Sequence, residues 1–206
     1  PFINLLISRF ENDIKQFLLY HEIGSGKTCT SIALAEDFLK LESKNKILVI
    51  LPARLKNNFY DELMTPCTYF KYFNKDDYLE YINSDTSIKN KEKLREKFIK
   101  QINEKYTIIS YERFRLDALK HSENILEYIN DFSKNTMIII DEVHNLISDS
   151  YPLNTYINIE NTGKIPINVK SLSINSTLLK LLSKYSHDSC KLLYLTATPI
   201  YDSFKE

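Results

Sequence analysis

The chain has 206 residues, 43% hydrophobic and 26% charged, with a formal net charge of zero. That length suits one ordinary domain or a large single α/β lobe with a sizeable core. The balanced charge excludes a uniformly basic binder of polyanions, so any nucleic-acid contact must come from local placement of Lys and Arg.

In chain order, short apolar runs alternate with helical patterns. Residues 17–20, 47–51, 106–109, 137–140 and 192–195 are continuous apolar runs that read as strands buried on both faces. Helical spacing appears over 28–41 (Ile32, Ala35, Leu39), 55–64, 122–132 and 171–185 (Leu172, Leu178, Leu179, Leu182). Strands alternating with helices imply a mainly parallel sheet with crossover helices. Residues 66–105 are long, charged and tyrosine-rich, with a Lys/Glu-dense helix expected over 89–103. Residues 148–170 contain Pro152, Gly163 and Pro166 and show no clean period. Both stretches read as insertions decorating the sheet. No apolar run approaches the ~18 residues of a membrane span, and residues 1–20 lack a secretory pattern. Cys29, Cys67 and Cys190 show neither metal-ligand spacing nor a disulfide framework, which predicts a reducing, intracellular site. Pro1 is not Met and Glu206 lies just past a motif, so the chain reads as a piece of a longer protein.

Two of the three glycines fall in His21-Glu22-Ile23-Gly24-Ser25-Gly26-Lys27-Thr28, between an expected strand and an expected helix. This is the setting of a phosphate loop. Glycines let successive N–H groups turn toward a phosphate, and the helix N-terminus adds partial positive charge. Gly24, Ser25, Gly26, Lys27 and Thr28 are the expected phosphate binders. Lys27 reaches the outer phosphates and Thr28 ligates Mg²⁺. The full pattern begins with Gly, where this chain has His21. A plain Gly-Ser turn before a helix is the competing reading.

Residues 137–140 run into Asp141-Glu142-Val143-His144. Two carboxylates at a strand end suit a phosphate-loop enzyme: Asp141 for the metal and Glu142 to orient and deprotonate the attacking water. Adjacent residues in extended backbone point to opposite sides, so the two can serve separate roles. Alone, this motif is equally a strand end capped by solvated acids. A third motif, Thr196-Ala197-Thr198-Pro199, follows residues 192–195.

The order Gly-Ser-Gly-Lys-Thr, Asp-Glu-Val-His (a DEVH box), Thr-Ala-Thr-Pro resembles superfamily 2 helicases and translocases over nearly the whole chain. The His-Glu-Ile-Gly-Ser-Gly-Lys-Thr form resembles the large-DNA-virus branch, with its poxvirus-type transcription ATPases. The resemblance implies an α/β, RecA-like three-layer sandwich, forming the N-terminal ATP-binding lobe of a nucleic-acid-dependent ATPase. ATP and Mg²⁺ are the implied cofactors. DNA or RNA, a second RecA-like lobe and transcription machinery are the implied partners. His144, Thr196 and Thr198 would relay nucleotide state. Leu51-Pro52-Ala53-Arg54-Leu55 and Ser110-Tyr111-Glu112 resemble loops that face the polymer, which makes Arg54, Lys56, Ser110 and Tyr111 candidate phosphate contacts. Gln16 stands too close to the loop to be the family's adenine-reading glutamine, which is expected before Pro1. The second lobe would supply an arginine finger, so the isolated chain is expected to hydrolyse ATP poorly.

Three rival readings carry different consequences. A transcription-factor or protein-remodelling ATPase would use the same site without unwinding duplex. A nucleotide-binding scaffold would have no need of Glu142. A small-molecule kinase would lack the later two motifs.

Overall fold

The computed structural model describes residues 14–20, 26–64, 66–68, 70–146, 153–165 and 171–197. Five strands form one parallel sheet: β1 (Gln16–Tyr20), β2 (Lys46–Leu51), β3 (Tyr106–Ser110), β4 (Thr136–Ile140) and β5 (Lys191–Thr196). Their order across the sheet is β1-β5-β4-β2-β3. This is the α/β, RecA-like arrangement expected from the motif order.

Strand alternation sorts the core into two layers. Ile47, Val49, Leu51, Met137, Ile139, Leu193 and Leu195 face one side. There they meet helices α1 (Lys27–Leu41), α2 (Lys56–Leu63) and α4 (Ile88–Ile102). Ile50, Ile138, Ile140 and Leu192 face the other side. They meet α5 (Tyr111–Lys120), α6 (Ile125–Ser133), α7 (Leu153–Thr162) and α8 (Ser171–Tyr185). Strand β4 is buried at all five positions because it lies mid-sheet with helices on both faces.

Burial on both faces fails at the sheet edges. In β1, Leu18 is 51% exposed and Tyr20 49%. Strand β3 alternates because it is the opposite edge. An apolar run does not reveal its place in the sheet; only the strand order does. The Gln16 amide is engaged locally, donating to the Ser183 carbonyl at 2.7 Å and accepting from the Ser183 hydroxyl at 2.8 Å.

Residues 66–105 are more than decoration. Helix α3 (Lys75–Ile82) lies on the outside, but Phe98 and Ile102 of α4 are fully buried in the first core layer. Tyr72 and Tyr106 both donate to Glu36 Oε1 at 2.7 Å, and Lys71 reaches Glu36 Oε2 at 2.6 Å. Glu36 is only 7% exposed, and these donors satisfy its carboxylate. The network fixes α1, the helix that opens with Lys27 and Thr28, to β3 and to residues 71–72. Three helices escaped the sequence reading, α3, with no buried residue, among them. In α5 the buried Phe114 and Ala118 share the helix with exposed Leu116 and Leu119, which blurs its stripe. Helix α7 lies within residues 148–170, where no period was visible.

The cysteine expectation is overturned. Cys29 and Cys67 form a disulfide, with Cα atoms 5.2 Å apart across a sequence separation of 38. The pair forms because the first turn of α1 lies against the single turn Pro66–Thr68, a contact that spacing alone cannot reveal. The cysteines therefore give no argument for a reducing compartment. Cys190 is free and buried. Reducing the pair, or Cys67→Ser, is expected to lower unfolding stability by about 3–4 kcal/mol on the loop-entropy account. Urea titrations with and without a thiol reductant measure this, and an unmoved midpoint would remove the disulfide from the stabilising contacts. No helix among the described residues is long and apolar enough to cross a membrane.

Candidate active site

Parallel strands bring their carboxyl ends to one edge, where α/β sheets place ligands. Tyr20 lies opposite Thr196, Ile140 opposite both Tyr194 and Ile50, and Leu51 opposite Ser110. The segments that follow these strands are the sequence motifs. Fold and motifs thus agree on one edge of the sheet.

His21, Gly24 and Ser25 lie outside the described residues, as do Thr198 and Pro199. Gly26 is the N-cap of α1 at φ 80° and ψ 22°. A Cβ built there would meet nothing within 4 Å, so the requirement is conformational rather than spatial. A residue with a side chain in this left-handed geometry costs about 1–2 kcal/mol. Gly26 thereby turns the chain into the helix and presents Lys27 and Thr28 at its first turn.

Lys27 lies against the acidic motif across the sheet edge. Its Nζ is 2.7 Å from Glu142 Oε1 and 3.2 Å from Asp141 Oδ1. Asp141 is 5% exposed, and burial raises its pKa above the ordinary carboxylate value. The Lys27 charge and hydrogen bond oppose that shift, while the neighbouring Glu142 charge reinforces it. Asp141 also accepts the Glu142 N–H on Oδ1 at 3.0 Å.

Glu142 sits at φ 54°, in the left-handed region. The backbone turns sharply there and enters a short helical turn, Val143–Leu146. This aims one carboxylate oxygen at Lys27 and the other at His144, whose Nδ1 is 3.4 Å from Oε2. The same His144 nitrogen lies 3.0 Å from Thr196 Oγ1, and Thr196 is almost fully buried at the end of β5. Lys27, Asp141, Glu142, His144 and Thr196 therefore form one connected polar cluster.

The four candidate polymer contacts divide. Arg54 and Lys56 are exposed just beyond β2, on the short turn Ala53–Leu55 and at the start of α2. Ser110 and Tyr111 do not stand on a loop: they open helix α5. Ser110 is its N-cap, accepting the Arg113 N–H at 3.2 Å. The Tyr111 hydroxyl turns inward and donates to the carbonyl oxygens of Asp141 and Glu142, the latter at 3.0 Å. This link joins residues 30 positions apart, and no local pattern signals it.

The arrangement can neutralise and hold an anion between Lys27 and the α1 N-terminus, with a carboxylate beside it to accept a proton. The donors also suit Mg²⁺, which takes one or two carboxylates and completes its shell with phosphate and water oxygens. Asp141 and Thr28 are such donors. Among the described residues no group of three His, Cys, Asp or Glu could form an all-protein metal cage.

The family described as type III restriction enzyme, res subunit, matches residues 2–201. The chain belongs to that family. Its similarity to viral helicases marks it as an N-terminal lobe of the superfamily 2 helicase type. A protein of Acanthamoeba polyphaga mimivirus named as an ATP-dependent RNA helicase is 33% identical, over 93% of this chain and 28% of that protein. A protein of Invertebrate iridescent virus 3 named as a helicase is also 33% identical, over 98% of this chain and 19% of its own length. The chain thus spans under a third of each of these relatives.

Proposed function

We propose that this chain is the ATP-binding lobe of a nucleic-acid-dependent ATPase that moves along or remodels DNA or RNA. The supporting observation is the polar cluster: a phosphate-loop lysine within 2.7 Å of Glu142 and 3.2 Å of Asp141, with His144 joining the acids to Thr196.

In this structure Lys27 neutralises both carboxylates. When ATP enters, its phosphates compete for Lys27, which swings from the acids to the outer phosphate oxygens. Thr28 and Asp141 are the residues that would hold Mg²⁺, which supplies positive charge against those oxygens. Glu142, released from Lys27, accepts the proton of the attacking water. His144 senses the Glu142 carboxylate on one side and Thr196 on the other. It can therefore pass the state of the site to β5 and the motif beyond, with Thr198 in the same relay. Arg54 and Lys56, exposed beyond β2, are the proposed phosphate contacts for the polymer.

A second RecA-like lobe, outside the 206 residues, would complete the site with an arginine finger. The names of the viral relatives favour this motor reading over a scaffold or a kinase. The test is steady-state ATP hydrolysis by the full-length protein with no polymer, single-stranded DNA, duplex DNA and RNA. Stimulation of about tenfold or more by one polymer is expected. Equal turnover in all four conditions would refute the motor and leave a protein-remodelling ATPase.

A further inference from the structure

We infer that Tyr111 is a positioning residue: its hydroxyl holds the Asp141–Glu142 turn so that the Glu142 carboxylate faces the phosphate site. This rests on the proposed role of Glu142 as the proton acceptor.

Glu142 occupies φ 54°, which residues with side chains adopt at a cost and keep only where neighbours enforce it. Three hydrogen bonds enforce it here. The Glu142 N–H donates to Asp141 Oδ1 at 3.0 Å, and the Asn145 N–H donates to the Glu142 carbonyl at 2.9 Å. Both of these lie within the turn and would travel with it if it rotated. The third, from the Tyr111 hydroxyl to the Asp141 and Glu142 carbonyls, comes from another element and reaches past the Asp141 N–H, which is itself held by the Ile50 carbonyl of β2 at 2.9 Å. Tyr111 is the first residue of α5, and Ser110 before it is bonded into β3. The anchor is therefore fixed to the sheet, and it fixes the turn to the sheet.

The consequence for chemistry is directional. One Glu142 oxygen meets Lys27 and the other His144 only if the turn keeps this orientation. A shift of about 1 Å in a reacting group can cost up to a hundredfold in rate. The Tyr111 hydroxyl meets the backbone of the acidic turn, so its effect passes through Glu142.

The test is Tyr111→Phe in the full-length protein, which keeps the ring and removes the hydroxyl. The polymer-stimulated kcat should fall about tenfold or more. KM for ATP, the Kd for a fluorescent ATP analogue and the melting temperature should stay close to the parent's. An unchanged kcat, or a loss of binding and melting temperature in step with kcat, would overturn the inference. Glu142→Gln and the double variant complete the cycle. If Tyr111 acts through Glu142, adding Tyr111→Phe to Glu142→Gln costs nothing further. A second full loss in the double variant overturns the positioning role while leaving Glu142 as the acceptor. Parental activity in Glu142→Gln alone refutes that acceptor role itself, and the inference falls with it.

Discussion

Glu142→Gln is expected to lower ATP turnover by about 10²–10⁴-fold, the usual share of a positioned general base. The amide keeps the shape of the side chain, and its carbonyl oxygen can still accept from Lys27. It cannot take a proton from water. Nucleotide binding should therefore survive and could tighten, because the amide competes less strongly than a carboxylate for Lys27. Single-turnover hydrolysis beside equilibrium binding of an ATP analogue separates the two effects. Turnover within a few-fold of the parent would assign the proton acceptor to another group.

Lys27→Ala should act on both binding and stability. Losing the cation proposed to meet the outer phosphates should lower kcat/KM for ATP by about 10²–10³-fold, as loss of a preorganised donor does elsewhere. The stability effect follows from Asp141. Burial already raises its pKa, and the Lys27 charge is the largest influence opposing that rise. Removing Lys27 must raise it further. A carboxyl whose folded pKa lies above its unfolded value favours the native state when protonated. Its contribution is fully present below about pH 3.8 and is lost as pH rises through the folded value. The melting temperature of Lys27→Ala should therefore fall short of the parent's by more at about pH 8 than at about pH 5. Thermal melts at both values provide the check. An equal deficit at the two would mean that Asp141 does not titrate as the geometry demands.

The two variants probe the same ion pair from opposite sides. Lys27 and Glu142 stand 115 residues apart in sequence yet share a 2.7 Å contact. Gln at position 142 removes the proposed proton acceptor and keeps a partner for Lys27. Ala at position 27 removes the cation and leaves two acids facing each other. A rate loss in the first with preserved melting, and in the second with pH-dependent melting, is the expected combined result.

The sequence by itself determined the sheet and pointed to the candidate site residues. All five strands were legible because continuous runs such as residues 137–140 leave no polar face, and only a covered sheet tolerates that. Lys27, Asp141 and Glu142 were legible because a glycine-led turn before a helix and acids at a strand end each have a local chemical logic. Strand order alone decided that β1 and β3 are edges, since an apolar run carries no record of its neighbours. The Cys29–Cys67 pair, the three donors on Glu36 and the Tyr111 hydroxyl on the acidic turn were equally invisible. Each joins residues 30 or more positions apart, so side-chain direction settles them rather than spacing. Local pattern supplies the chemistry of this chain. Packing of distant segments decides which groups are buried, which are paired, and which way Glu142 points.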